Sequence, residues 1–302
     1  MRNNEERFGA PTAQSAEAPP VPIESGTPPV DLPENIAAEE RQGQPTVLNF
    51  SIPTEIVDLP SRGRFYKPEH PLHQCETIEI RFMTAKDEDI LTSKSLLRKG
   101  LAVDRLLSSV ILDKRIKPDN LLVGDKNAII MAVRSTGYGS EYSTKVQCPA
   151  CLANSEFEFD LDDMGLFEGF NEETEGVVLE SDGTFIINLP KMNVDVGLRL
   201  LTGREERQLI NYGTKKSKHG LGEVKSSEQL KMCIVSVNGD RSSAAINNLM
   251  NYLPAKDARY LRKKYAEIMP SVDMTQDFIC STCGYEQEME VPLTADFFWP
   301  KR

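Results

Sequence analysis

The 302-residue sequence predicts an α+β protein of two pseudo-repeated lobes joined at a zinc site, each lobe running strand, helices, then a Cys-x-x-Cys β-hairpin. Three observations carry this expectation. Two cysteine pairs, Cys148-Pro-Ala-Cys151 and Cys280-Ser-Thr-Cys283, are each flanked by strand-like sequence. A strand followed by a helix-start signal occurs twice, 118 positions apart. Between each of these segments and its cysteine pair, apolar residues fall at helical spacing.

Residues 1–45 read as an extended or disordered N-terminal arm. They hold eight prolines, and eight acids against three arginines, with few aromatics or clustered aliphatics. Such a segment buries too little apolar surface to offset its ordering entropy. It is either a solvated linker or an arm that partner surfaces order.

The first lobe is expected over 46–161. Val47–Ile52 and Glu55–Leu59 read as short extended pieces, and Pro60–Tyr66 as a Gly-containing turn ending in aromatics. His70, His73 and Cys75 could suggest a metal cluster, but Pro71 lies between the histidines and the stretch is loop-like. Ile78–Glu88 then matches Val196–Glu206: in both, a strand ends at a Thr with an acid three residues later. That is a capping box, in which Thr and the acid satisfy the free amides of a helix start. Val103, Leu106, Leu107, Val110 and Ile111 make the apolar stripe of one helix, and a later helix through Ala128–Val133 should end at Gly137.

An acidic connector with a hairpin follows over 162–194, where Asp182-Gly183 between alternating strands reads as a two-residue turn. The second lobe is expected over 195–302. Its stripe of Ala258, Leu261, Tyr265 and Ile268 begins after Pro254 and stops at Pro270. Further matches between the halves lie 132 positions apart: Asp125 with Asp257, Ile129 with Leu261, Cys148 with Cys280, Cys151 with Cys283. The 14-residue difference falls around the polar insertion at Lys215–Gly220.

The cysteines point first to chemistry. A Cys-x-x-Cys at a hairpin tip aims two thiolates at one point, and two tips facing each other complete a tetrahedral Zn²⁺ site. Here 128 residues separate Cys151 from Cys280, so one structural zinc held by Cys148, Cys151, Cys280 and Cys283 would clip distant parts of the chain together. The alternatives are two disulfides, a redox dithiol, or four buried cysteines. A redox pair normally opens a helix, whereas both pairs here lead into strands. Disulfides fit poorly with Cys75 and Cys233 left over and no apolar h-region behind Met1–Arg7.

No apolar run approaches the length of a membrane span, so the expectation is a soluble intracellular product without membrane contact. The net charge of −11 argues against a general affinity for nucleic acid, which draws on clustered Lys and Arg. No phosphate-binding glycine loop and no nucleophile elbow is present. Acids such as Asp87-Glu88-Asp89 sit in a helix first turn, where the dipole accounts for them. The reading is that the chain is not an enzyme.

Several separate motifs carry a resemblance. Val57–Tyr66, Ile80–Leu91, Gly124–Asn127, Ser135–Gly139 and Val291–Trp299, in that order, resemble the T4-type bacteriophage baseplate protein family, the hub subunit of contractile-tailed phages. The resemblance covers about residues 50 to 300. It implies a non-catalytic virion protein of the tail baseplate, assembled in the host bacterial cytoplasm. Its partners would then be other baseplate and tail proteins or copies of itself, with the N-terminal arm among the contacts. A second reading is a zinc-ribbon interaction module that binds nucleic acid or a transcription factor. Its basic residues would be Arg259–Lys264 and Lys215, Lys216 and Lys218; on a helix, Arg262, Lys263 and Lys264 read more simply as its solvated face. Phe297, Phe298 and Trp299 could dock on partners or on the protein's own core.

Overall fold

Two hydrophobic cores organise the protein, and the residues that build them do not follow chain order. The computed structural model describes residues 51–217, 226–291 and 295–298, all within the unit Phe50–Arg302. The expectations for residues 1–45, Val47–Phe50, the end of the Lys215–Gly220 insertion, His219 and Trp299 lie outside them.

The first core begins with β1 (Thr54–Asp58) and β2 (Thr77–Arg81), an antiparallel pair in which Val57 faces Ile78. Period-2 alternation turns Val57, Ile78 and Ile80 inward. Helices α1 (Ala85–Thr92), α2 (Lys94–Lys99) and α3 (Ala102–Val110) follow, and the α3 stripe buries Leu106, Leu107 and Val110. Helix α4 (Val123–Tyr138) runs past Gly137, its expected end, to Gly139. Gly137 is small for another reason: a Cβ there would lie 2.2 Å from Met83 Cε. Strands β3 (Glu141–Gln147) and β4 (Asn154–Asp160) form the first cysteine hairpin.

The chain then leaves this body. Strand β5 (Gly165–Phe167) leads out, and β6 (Val177–Leu179), β7 (Phe185–Asn188), β8 (Asp195–Leu198) and β9 (Ile234–Val237) make an antiparallel sheet in the order β6-β7-β8-β9. The stretch read as a connector thus supplies two strands of this sheet. Its Asp182-Gly183 turn spans three residues instead of two: Glu180 N–H donates to Thr184 O and Gly183 N–H to Glu180 O. Asp182 accepts the Thr184 N–H, and Gly183, at φ 83°, takes the left-handed position such a turn needs. Helices α5 (Gly203–Ser217), α6 (Ser226–Cys233), α7 (Ser243–Tyr252) and α8 (Ala255–Ile268) complete the unit. Leu230, Leu249, Leu261 and Ile268 pack against the sheet residues Phe185, Ile187, Val196 and Leu198.

Strand β10 (Ser271–Asp273) then pairs antiparallel with β5, so exit and re-entry lie side by side. Strands β11 (Thr275–Ile279) and β12 (Glu286–Glu290) form the second cysteine hairpin. Sequence order assigns this hairpin to the second lobe. Its buried residues Phe278 and Cys280, with Val291, Phe297 and Phe298, instead join the first core. Edge-to-face packing of Phe278 on Phe157, centroids 5.2 Å apart, shows why: the aromatic face of β4 is already there. The fold is mixed α/β, with an inserted unit inside a body that the C-terminal segment completes.

Body and insert also meet directly. Val123 N–H donates to Leu201 O and Gly203 N–H to Leu121 O. Buried Lys126 reaches Asp104 at 3.0 Å and Glu206 at 2.7 Å, while Arg207 pairs with Asp104 and Asp119. Burial alone would lower the Lys126 pKa; Glu206 and Asp104 outweigh it and raise it. Gly124 is where α4 touches the return of the chain, since a Cβ there would sit 1.9 Å from Pro270 O.

The two capping boxes form alike. Asp87 accepts the Thr84 N–H and Oγ1–H, both at 2.8 Å, and pairs with Arg81. Glu205 accepts from Thr202 in the same way, at 2.9 and 2.6 Å, and pairs with Arg199. Likewise Asp125 accepts the Ser61 N–H and Oγ–H, and Asp257 the Lys191 and Met192 N–H groups. Burial would raise the Asp87 pKa, but Arg81, Ser109 and Thr84 hold it well below the usual carboxylate range. A depressed folded-state pKa adds stability above the unfolded value of about 4 and loses it as pH falls through the folded value. Asp87→Asn should therefore cost about 2 kcal/mol at neutral pH. In urea titrations the gap to the parent should narrow once pH drops below about 4; a gap independent of pH would refute the charged role.

Candidate metal centre

Each cysteine pair sits where an antiparallel hairpin reverses, and the two reversals share one hydrogen-bond plan. Cys148 N–H donates to Ala153 O and Leu152 N–H to Cys148 O, both at 2.9 Å. Cys280 N–H donates to Tyr285 O and Gly284 N–H to Cys280 O, again at 2.9 Å. The residue after the second cysteine is left-handed in both, Leu152 at φ 60° and Gly284 at φ 69°. This backbone folds each pair of sulfurs onto one side of its tip. Cys148 and Cys280 are buried, Cys151 and Cys283 exposed.

The hairpins also lie against each other. Asp160 N–H donates to Gln276 Oε1, and the Gln276 amide donates back to Asp160 O. Behind them the guanidinium of Arg134, fully buried, donates to Phe297 O at 2.6 Å, Gly139 O at 2.5 Å and Glu141 O at 3.0 Å. It ties the end of α4, the start of β3 and the C-terminal turn together. Sequence reasoning missed this residue; the one signal was a charge inside an apolar helix run, Met131-Ala-Val-Arg134.

All four Sγ atoms lie within 4.8 Å of one another. The cross-hairpin separations are 3.8 Å for Cys148–Cys283 and 3.7 Å for Cys151–Cys280. Four sulfurs at about 2.3 Å from a tetrahedral zinc would be about 3.8 Å apart, so the donor set fits the ion in number, softness and spacing. A disulfide needs about 2.05 Å, and all six cysteines are free. Backbone N–H groups of Cys283 and Thr282 pull the Cys280 thiol down to about 6. At Cys283 a backbone hydrogen bond at Tyr285 acts likewise, but the neighbouring Cys151 sulfur opposes it and the thiol is pushed up to about 12. A divalent cation would relieve this crowding of sulfurs.

Among the described residues, this is the one place where three or more His, Cys, Asp or Glu ligand atoms converge. His70 stacks on Tyr66, centroids 4.3 Å apart, and His73 Nδ1 contacts Tyr66 O at 2.7 Å. Cys75 Sγ turns to the Pro71 and His73 carbonyls. Burial pushes the Cys233 thiol up to about 11, with Tyr265 beside it, which leaves it a packing residue. Phe297 and Phe298 dock on the protein's own core. No helix among the described residues is long and apolar enough to cross a membrane.

Fold and centre define a mixed α/β protein whose body is closed by a four-cysteine cluster at two hairpin tips. Residues 52–299 match the model of the family described as T4 bacteriophage base plate protein, and the chain belongs to that family. Membership implies a place in the virion tail and contact with other phage tail proteins. No curated protein and no solved structure matches the chain.

The paired knuckles differ in one respect that can be measured. A left-handed non-glycine residue costs about 1–2 kcal/mol, and a Cβ at Gly284 would meet nothing within 4 Å. Gly284→Leu should thus lower thermal stability by about 1 kcal/mol through backbone strain alone. Leu152→Gly should leave it unchanged or slightly raised. Calorimetric melting of both variants checks this, and a neutral Gly284→Leu would refute it.

Proposed function

We propose that the protein is a structural hub subunit of the baseplate of a contractile phage tail, not an enzyme, and that Cys148, Cys151, Cys280 and Cys283 hold one structural Zn²⁺. The family match across residues 52–299 carries this reading, because all four cysteines fall inside it. A site with four thiolate ligands is closed, leaving no open position for substrate. Its role here is mechanical: the ion would bind the returning hairpin β11–β12 to β3–β4.

We also infer that the chain arose from a duplicated segment, with 46–161 and 195–302 as its halves and 162–194 between them. The two capping boxes with their arginines, the two buried aspartates that hold backbone amides, and the matching knuckles support it. The halves have not stayed separate bodies, since the second hairpin packs with the first core. The N-terminal arm, 1–45, would contact neighbouring baseplate and tail proteins or further copies of the chain in the virion, after assembly in the host cytoplasm.

A zinc ribbon reading nucleic acid is less well supported. Lys263 and Lys264 of α8 both face Glu267, and Lys264 also donates to Glu175 O. Two of the cations of that stretch are thus taken up by pairs on their own helix face.

Elemental analysis of the purified protein should find one zinc per chain. Chelation, or Cys280→Ser, should lower the melting temperature sharply, since structural zinc contributes on the order of 10 kcal/mol of apparent folding free energy. The same variant should fail to rescue tail assembly in cells infected with phage lacking the protein. Absence of metal together with unaltered melting of Cys280→Ser would overturn the zinc reading; normal tails without the protein would overturn the structural one.

A further inference from the structure

A cleft of about 1110 Å³ opens where the loop after β1 faces the inserted unit. Its walls are the Phe65–Pro71 segment on one side and, on the other, the β6–β7 turn with the end of β8 and the start of α5. The chain carries a net charge of −11, yet this cleft reverses the sign: Lys67, Arg115, Arg199, Arg204 and Arg241 line it against Glu69, Asp182 and Glu205. Two of those acids are already matched, Asp182 by Arg241 and Glu205 by Arg199. Arg115 is held by Asp113, whose pair lies at an exposed site. Among the described residues, Arg204 meets only the side-chain oxygen of Asn120 at 3.3 Å. Lys67 is exposed and makes no ion pair with a described residue. The Arg241–Asp182 and Arg115–Asp113 pairs lie at the surface; such pairs are worth little, so their guanidinium donors are open to a competing carboxylate.

The floor is apolar. Phe65, Leu200 and Val235 are half-buried, with Phe185 beneath them. The aromatic faces are occupied: Phe65 packs on Phe185 at 5.7 Å, and Tyr66 stacks on His70 while its hydroxyl donates to Asp125. A groove that reads single-stranded nucleic acid needs free aromatic faces for bases, whereas the rings lining this one already pack on one another or on the core. Basic rim over apolar floor instead matches an extended strand, whose alternate side chains point opposite ways.

We propose that this cleft receives an extended segment of a partner protein in which acidic and apolar residues alternate, carboxylates meeting the arginine rim and apolar side chains the floor. The proposal names a docking surface for the partners of the baseplate reading. Its test reads peptide binding by the isolated protein, so it stands or fails apart from tail assembly or zinc content.

The test is fluorescence anisotropy with the full chain and a labelled peptide of about ten residues alternating Glu with Val. Comparison probes are the same peptide with Lys for Glu and a single-stranded oligonucleotide. Saturable binding of the acidic peptide is expected, weakening as salt rises and falling about tenfold or more in the double variant Arg115→Glu, Arg241→Glu. Both positions are exposed, so melting should fall only slightly, by what two surface ion pairs contribute. Lys67→Glu, which breaks no ion pair with a described residue, gives the same reading with a smaller drop should the double variant unfold. Absence of saturable binding, equal binding of the lysine peptide, or indifference to the substitutions would overturn the proposal. So would tighter binding of the oligonucleotide with the same arginine dependence, which would assign the cleft to nucleic acid.

Discussion

The body of this protein closes only when residues 272–298 come back to residues 57–161, because both stretches supply the same core. Everything between has to be built without disturbing that return. The pairing of β5 with β10 meets the constraint locally, holding exit and re-entry in one short ladder. The cysteine cluster meets it at longer range, bringing together sulfurs 129 and 135 positions apart in the chain. A crosslink across so long a stretch removes many open conformations from the unfolded ensemble. On the zinc reading proposed above, one closed metal site would do for this body what a larger core would otherwise have to do.

The insert is not hung from its neck alone. The backbone exchange at Leu121–Val123 and Leu201–Gly203 lies next to the Lys126 and Arg207 ion cluster. Removing one member of such a cluster leaves a buried charge unmatched, which costs more than the intact pair contributes. Close backbone approach at Gly124 leaves no space for any other side chain. Body and insert are thus set against each other at fixed points, and the cleft inherits its shape from that setting. Lys67 and Arg115 belong to the body, Arg199, Arg204 and Arg241 to the insert, so the two basic sides face one another across a single rim only in the assembled arrangement.

What the sequence revealed was what is local. The Thr84 and Thr202 boxes span four residues each and are read directly. Helix α8 lies between Pro254 and Pro270, and the hairpins alternate strictly around their cysteines. The cysteines could be paired across 128 residues because thiolates in hairpin tips have few other uses. What stayed hidden was relational. Alternation in β11 and β12 says that one face is buried, and nothing about which core buries it. Strands β5 and β10 are three residues long, too short for any period to register. Arg134 escaped notice because its partners are carbonyls, which carry no sequence identity. The end of α4 was misplaced for a related reason: Gly137 answers to Met83, a contact across the fold, and not to the helix terminus.

The chain order of the two knuckles also has a consequence in time. A ribosome adds about 5–20 residues per second, so the interval between completion of Cys151 and arrival of Cys280 is about 6–26 s. Throughout it the first hairpin has only two of four sulfurs and an unfinished hydrophobic face, while the insert, which begins and ends between the two pairs, can already fold. A bidentate thiolate pair holds metal far less firmly than a complete set. On the zinc reading proposed above, the site of the nascent protein therefore stays half-built through the synthesis of its middle and is complete only with its closing strands.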